Sequence, residues 1–454
     1  MKKNQMYLKP LVVMLTCATL SLAAVHAQAQ TSPADLDRLG KDLTPTGAVK
    51  AGNADGSIPG WDGGLTKPPA GFNPKSGYAD PFPAEKPLFT ITSANMVQYK
   101  DKLAPGQMEM FKHFPDYKMN VYTSHRTAAY PQSVYDYTKA EAGKALLAEG
   151  GNGVKNLVHS NVPFPVPKTG IEIIWNHVMR YRGGSFERFS ASFPVMANGA
   201  FTPVTVKESM LMASAEANPE PNRLFSFMAV LTGPSSVAGE SLLVIDPIDQ
   251  VKDPRQAWMY NPGQRRVLRA PDVSYDAPGL GGDGLRTTDD YDGFNGAPDR
   301  YDWKLIGKKE VYISYNNYRL ASKDVKYADL IRPGHMNQDL VRYEPHRVWV
   351  VEATLKPGKR HVYAKRTFYV DEDSWQVAHT DAYDGHGDLW RVHEIDAIQF
   401  YDVPTPWLAC EAIYDLQARR YLVSGLTNQE KNMRFNFKID SSYFTADNLR
   451  RLSN

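Results

Sequence analysis

From Gly183-Gly184 to about residue 440, the chain reads as short apolar or alternating runs cut by turn signals. RFSASFPV, a turn at Asn198-Gly199 and FTPVTVKESML form a hairpin pattern. RLFSFMAVL, GESLLVID, QAWMY and RRVLR follow, then an Asp/Gly-rich loop. EVYISY, HRVWVVEATL, KRHVYAKRTFYV, SWQVAHTDAYD and DLWRVHEIDAIQFYDV complete the series. Hairpins joined by short turns predict one large, twisted, curled antiparallel sheet. The expected class is mainly β with some α.

A helical stripe precedes this sheet. Ile171, Ile174, Trp175, Val178 and Met179 fall at i, i+3, i+4, i+7 and i+8. Thr169 stands where an N-cap belongs, and Gly183-Gly184 where the helix would end. On the concave side of a curled sheet, such a stripe would help wall an apolar cavity. Upstream, residues 30–92 are punctuated by Pro and Gly and read as an extended arm. Helices are predicted at SANMVQYKDKL, capped by Ser93, at QMEMFKHF, and near KAEAGKALLAEG. SYFTADNLRRL predicts a closing helix capped at Thr445.

Composition places the chain in a compartment. Lys2, Lys3 and Lys9 flank an apolar run from Leu11 to Val25, and small residues follow at Val25-His26-Ala27 and Ala27-Gln28-Ala29. That is the grammar of a secretory signal peptide over 1–29, too short to span a membrane comfortably. Cys17 lies inside the apolar run after Thr16, a poor context for a lipid anchor. The expected units are therefore the signal peptide 1–29, an arm with short helices over 30–164, and the half-barrel 165–454. Cleavage leaves Cys410 as the one cysteine, so the fold relies on its core, and WLACEAIYDL reads Cys410 as a small buried hydrophobe. It also removes three lysines and no acid, taking the formal charge from +2 to −1. A near-neutral protein is a poor general polyanion binder, which argues against nucleic acid.

Candidate chemistry is sparse. His379, Asp381, Asp384, His386, Asp388, Arg391 and His393 crowd one hairpin. They offer His379, Asp381 and His393 as a metal set, or a solvated turn with strand ion pairs. DGLRTTDDYDGFNGAPDRYD resembles a calcium loop in composition, but Phe294 and Asn295 occupy template positions that need Asp/Asn and Gly. It reads instead as an Asx-rich loop at the rim of the sheet. GPSSVAG is not G-x-S-x-G and HEIDA is not H-E-x-x-H, so no hydrolase signature appears. Asn176-His177, beside the helical stripe, is the remaining pair of interest. In QAWMYNPGQRRVLR, a turn at Pro262-Gly263 sets Tyr260 against Arg265 and Trp258 against Val267. Trp258, Tyr260 and Val267 then share a face and join the stripe as candidate cavity residues.

AWMYNPGQRRVLRAP and RTFYVDEDSWQVAHTDAYDGHGDLWRV resemble the outer-membrane lipoprotein-sorting proteins of the LolA/LolB-like group over roughly 165–440. LTPTGAVKAGNADGSIPGW, EKPLFTIT, PFPVPKTGIEIIWNH, FNGAPDRYDWKLIGKKE and YFTADNLRRL resemble the periplasmic family known as domain of unknown function 1329. The first resemblance implies an incomplete LolA-like β-barrel whose cavity shields acyl chains, with helices on its concave side. The long arm departs from short carriers and could cover that cavity. Taken together, these readings lead to a periplasmic, non-enzymatic, cofactor-free carrier of a lipid, lipoprotein or other hydrophobic ligand. An inner-membrane export pump and an outer-membrane barrel are its implied partners. The alternative is a secreted hydrolase or metal-dependent enzyme built on the 379–393 cluster.

Overall fold

The computed structural model describes residues 31–250 and 252–453, so the predicted signal peptide lies outside the described residues. Sixteen strands share one sheet. In chain order they are β1 (Phe89–Thr92), β2 (Lys118–Val121), β3 (Ser185–Val195), β4 (Val204–Met212), β5 (Arg223–Gly233) and β6 (Ser241–Pro247). β7 (Gln256–Asn261), β8 (Arg266–Arg269), β9 (Tyr301–Ser314), β10 (Tyr343–Leu355) and β11 (Lys365–Asp371) follow. β12 (Val377–Tyr383), β13 (Leu389–Phe400), β14 (Thr405–Asp415), β15 (Arg420–Leu426) and β16 (Arg434–Phe435) complete the set. Strands β3 to β8 form one antiparallel meander and β9 to β15 a second; they join where β15 pairs with β3. β8 and β9 do not pair, so the sheet is open and not closed into a barrel. Its one parallel bridge, Tyr343 to Val121, attaches the β1–β2 ribbon.

Both faces of this sheet are covered. Four helices matter here: α1 (Pro105–His113), α2 (Gln132–Glu141), α3 (Gly170–Met179) and α4 (Ala446–Leu452). On one face, α3, residues 145–164 and the loop between β8 and β9 pack on Phe186, Met210, Phe225, Val351, Phe368, Ile395 and Trp407. On the other, α1 and the β1–β2 ribbon pack on Val392, Cys410, Ala412 and Tyr414. Every residue of β14 is consequently buried, and the polar/apolar alternation of a half-exposed strand disappears.

Local chemistry explains the helices that match expectation. Thr169 caps α3 by accepting from the Glu172 amide, while the Glu172 carboxylate takes the Thr169 amide at 3.0 Å, a capping box. The helix ends at Met179, four residues before Gly183, because Arg180 leaves the helical backbone region to enter a buried ion pair. Thr445 caps α4 through Asn448. Two expectations shift. SANMVQYKDKL forms a 3₁₀ segment, Met96–Lys102, without a side-chain cap, and α2 covers only the first three residues of KAEAGKALLAEG, the rest forming a turn and one short strand, Leu146–Leu147, of a two-strand ladder.

The β7–β8 hairpin also differs in register. Tyr260 pairs with Val267, and Trp258 with Arg269. The loop is Pro262 to Arg265, closed by Arg265 in a left-handed conformation at φ 53° and by the hydrogen bond its amide donates to the Asn261 carbonyl. The slip is two residues, so each side chain keeps its expected face. The cation over an aromatic ring is Arg269 on Trp258, at 5.7 Å, in place of Arg265 on Tyr260.

The arm is tied to the sheet by directed bonds. Arg126 donates to both carboxylate oxygens of Asp373, at 2.8 and 2.7 Å, and also to the carbonyls of Val49, Lys50 and Pro59. Trp375 Nε1 reaches the Thr46 carbonyl at 3.0 Å. At α1 the approach is closer still: the Gly106 amide donates to Asp381 at 2.9 Å. A Cβ on Gly106 would lie 2.1 Å from that carboxylate oxygen, so glycine is required there.

Candidate functional site

Six strands and one loop enclose a pocket of about 90 Å³ on the α3 side of the sheet. Its apolar wall comes from period-2 positions: Val204, Val206 and Met210 on β4, Phe225, Phe227, Ala229 and Leu231 on β5, and Leu242 and Val244 on β6. The polar side comes from β3, β14, β15, the loop between β8 and β9, Arg255 just ahead of β7, and Glu208, which interrupts the apolar series on β4. Arg188 and Glu208 are direct cross-strand partners, with Nε 2.6 Å from the carboxylate. Tyr291, from the loop, stands 3.1 Å from Arg188 and 3.4 Å from Glu208. Glu411 accepts from Arg286 at 2.8 Å, Ser424 at 3.0 Å and the Asp292 amide at 3.0 Å.

Electrostatics on this wall is self-contained. Arg182, Arg188, Arg255 and Arg286 face the pocket with Glu208 and Glu411, while Asp246 and Asp292 lie directly behind. Arg180 also lies behind, on Asp292, so five guanidinium groups meet four carboxylates. Asp292 is fully buried and takes Arg180 at 2.7 Å, Arg182 at 2.8 Å and the Trp407 indole at 3.0 Å. Burial opposes its ionisation, but Arg180 and Arg182 outweigh that and hold the carboxyl well below the usual range. Burial works against Glu411 too, and His393 and Arg286 overcome it, so Glu411 is also lowered. Burial, then Glu208, pushes the Tyr291 hydroxyl up, so it stays a neutral donor. Two buried donors on the wall, Arg182 Nε and Arg286 Nε, have no acceptor among the described residues.

The loop expected at the rim thus turns inward. Asp289, Asp290 and Asp292 are 1%, 5% and 0% exposed and serve as counter-ions, not as solvated turn residues. Arg366 stands 2.9 Å from Asp289. Sequence distance hid these pairs, because Arg180, Arg182 and Arg366 lie far from the loop along the chain.

None of the eight expected cavity residues lines the pocket. Ile174, Trp175, Val178 and Met179 are buried in the core beside it, with Ile171 half-buried at its margin. Trp258, Tyr260 and Val267 are on the opposite sheet face, packed with Leu243, Phe444 and Leu449 beneath α4. The alternation in VTVKESM and LFSFMAVL was the available signal for the lining of this pocket. The arm contributes no residue to this pocket.

The metal set is divided by strand geometry. His379 and Asp381 share one face with Glu394, the register partner of His379, whereas His393 pairs with Thr380 and points to the other face beside Glu411. His379, Asp381 and His393 therefore form no single site. His379 Nε2 contacts Asp381 at 2.7 Å under α1. His177 is fully buried, its Nδ1 accepting the Val377 amide at 3.0 Å; burial, then Arg180, pushes its pKa down to about 3. On the α1 side, Cys410 Sγ donates to Asp396 at 3.2 Å, and burial with that carboxylate raises the thiol far above its usual range. Among the described residues no helix is long and apolar enough to cross a membrane.

The family model for DUF1329, described as a protein of unknown function, matches residues 90–450. The chain belongs to the DUF1329 family. This DUF1329 chain is 51% identical over 438 residues to Uncharacterized protein PA3922 of Pseudomonas aeruginosa strain PAO1, covering 95% of this chain and 96% of that one. Two solved structures are similar in backbone course. One is a Vibrio parahaemolyticus domain assigned to outer-membrane lipoprotein sorting, at 15% identity and a TM-score of 0.44, covering 62% of this chain and 98% of the domain. The other is the LolA superfamily protein NE2245 of Nitrosomonas europaea, at 14% identity and a TM-score of 0.38, covering 62% and 99%. Neither bears on what the DUF1329 pocket holds.

Proposed function

We propose that this protein is a non-enzymatic periplasmic carrier that holds the apolar chain of a lipid or lipoprotein in the pocket between β3–β6 and the inward loop. The carrying observation is the aliphatic and aromatic side of that pocket, facing a polar side whose carboxylates are all ion-paired. Apolar burial supplies about 0.8 kcal/mol per methylene, so the chain provides the affinity. Five guanidinium groups on four carboxylates favour a head bearing an acceptor, such as an ester or amide carbonyl, over a cation. The predicted signal peptide supports the periplasm. Handover between an inner-membrane export pump and an outer-membrane barrel completes the proposed route.

The test is protein purified from its own periplasm, analysed by native mass spectrometry and organic extraction. Bound hydrophobic molecules are expected with the wild type and lost with Phe227→Asp, a half-buried position on the apolar wall. No extractable hydrophobe, together with equal uptake of a hydrophobic dye by both proteins, would overturn the reading.

A further inference from the structure

The pocket has an open side. Phe227 and Leu242 on the strands, and Leu280 and Tyr291 on the loop, keep partial exposure, whereas Arg188 and Glu411 are buried. The mouth therefore lies between the loop and β5–β6, away from β14. From it an apolar row runs outward across the sheet. Ala229 pairs with Leu242, Leu242 with Met259, and Met259 with Leu268, so these four side chains share one face. Exposure rises along the row, from 5% at Ala229 to 39% at Met259 and 52% at Leu268. The floor of the pocket thus continues, uncovered, to β8, the edge strand of the sheet.

The surroundings of that row select what covers it. Residues 256–271 hold Arg265, Arg266 and Arg269 and no acid, on a chain whose net charge after cleavage is −1. All three arginines are exposed, and none is ion-paired among the described residues. Arg266 precedes Leu268 by two residues and shares its face, Arg265 closes the turn, and Arg269 lies over Trp258 on the other face. Apolar side chains bordered by guanidinium groups match the surface of an anionic bilayer, where acyl chains lie beneath a layer of phosphates. A polyanion without an apolar layer would leave Met259 and Leu268 in water. The placement also serves loading. An apolar group that moves from a bilayer over Leu268, Met259 and Leu242 to Phe227 stays on apolar surface and avoids a passage through water.

We infer that the β7–β8 hairpin docks on an anionic lipid bilayer, with Met259 and Leu268 against the acyl region and Arg265, Arg266 and Arg269 on the headgroup phosphates, and that the pocket fills across this row. The docking face stands on the hairpin alone; filling across it rests on the carrier reading.

Two measurements on the full mature chain test this. In the first, Leu268→Cys is labelled with a nitrobenzoxadiazole dye, Cys410 being buried. It is titrated with vesicles of phosphatidylcholine, alone or with about one-third phosphatidylglycerol. With each arginine worth about fivefold in partitioning, the anionic vesicles should bind at least tenfold more tightly and shift the dye emission to the blue. About 0.5 M salt should release most of the protein. In the second, flotation with the anionic vesicles compares wild type with Leu268→Asp and with a double variant, Arg265→Asn with Arg266→Glu, in which Asn suits the left-handed turn. Both variants alter exposed positions and should lose at least tenfold in vesicle affinity. An unshifted dye, equal binding to the two kinds of vesicle, or equal affinity of the three proteins overturns the docking face. Uptake of a hydrophobic dye from solution separates the two readings. Protein that takes up dye but ignores the vesicles overturns the docking face and leaves the carrier standing; protein that binds the vesicles and takes up no dye keeps the docking face and removes the carrier.

Discussion

Glu394 is the position where a single substitution should make the protein more stable. Its carboxyl is 2% exposed on the α1 side of β13. Tyr343 donates to Oε2 at 3.1 Å, whereas Oε1 has no partner among the described residues. Burial, then the negative neighbour Asp396, pushes Glu394 up to about 7 against the opposing pull of His379, from an ordinary value of 4.5. Between those two values the native protein holds a proton that the unfolded chain has released. Stability therefore falls as pH rises through that window and levels off above about 7. At about 1.4 kcal/mol for each tenfold step in proton affinity, the cost at pH 8 is of order 3 kcal/mol. Glu394→Gln keeps the shape and removes the ionisation. Urea unfolding at pH 5, 6, 7 and 8 should show the variant close to wild type at pH 5 and more stable by up to about 3 kcal/mol at pH 8. A residual slope at lower pH should persist from Asp396, itself raised to about 6 mainly by burial. A variant less stable at every pH, or one whose advantage does not grow with pH, would refute the reasoning.

Two further substitutions probe the ion pairs. Asp292→Asn leaves Arg180 and Arg182 buried without their counter-charge, and should cost about 3–5 kcal/mol, seen as a lower urea midpoint; an unchanged midpoint would show that the guanidinium groups find other partners. Arg126→Met removes the donor that holds Val49, Lys50 and Pro59 to the β11–β12 turn. Limited proteolysis should then cut within 49–62 several times faster than in wild type while the sheet core resists, and equal cutting rates would deny Arg126 that role.

Much of the architecture was legible because it depends on neighbours in sequence. The α3 stripe with its Thr169 cap, the Thr445 cap and the successive hairpins each follow from spacing over a few residues. The β7–β8 register was not legible, since a non-glycine residue, Arg265, takes the left-handed position that ends the loop. The candidate site was the least legible part. Period-2 spacing puts Val204, Val206 and Met210 on one face, but cannot say that this face, and not the face of Tyr260, meets the inward loop. The same parity separates His379 from His393, which a count of nearby ligand types would group. The acids at 289–292 looked solvated because their cations arrive from α3's end and from β11. Helix and hairpin signals are local; ion pairing between distant segments is not.

Cys410 carries a practical consequence. It is the free cysteine among the described residues, sealed between Asp396 and the α1 side of the core, with a thiol that stays protonated at neutral pH. In protein beginning at Gln30, a maleimide dye will therefore ignore the native sequence. A cysteine introduced into the exposed turn at Gly385 or His386, or into the arm at Lys75, becomes a single addressable position. Fluorescence from Lys75 can then report on the surroundings of the arm without first engineering the native thiol away.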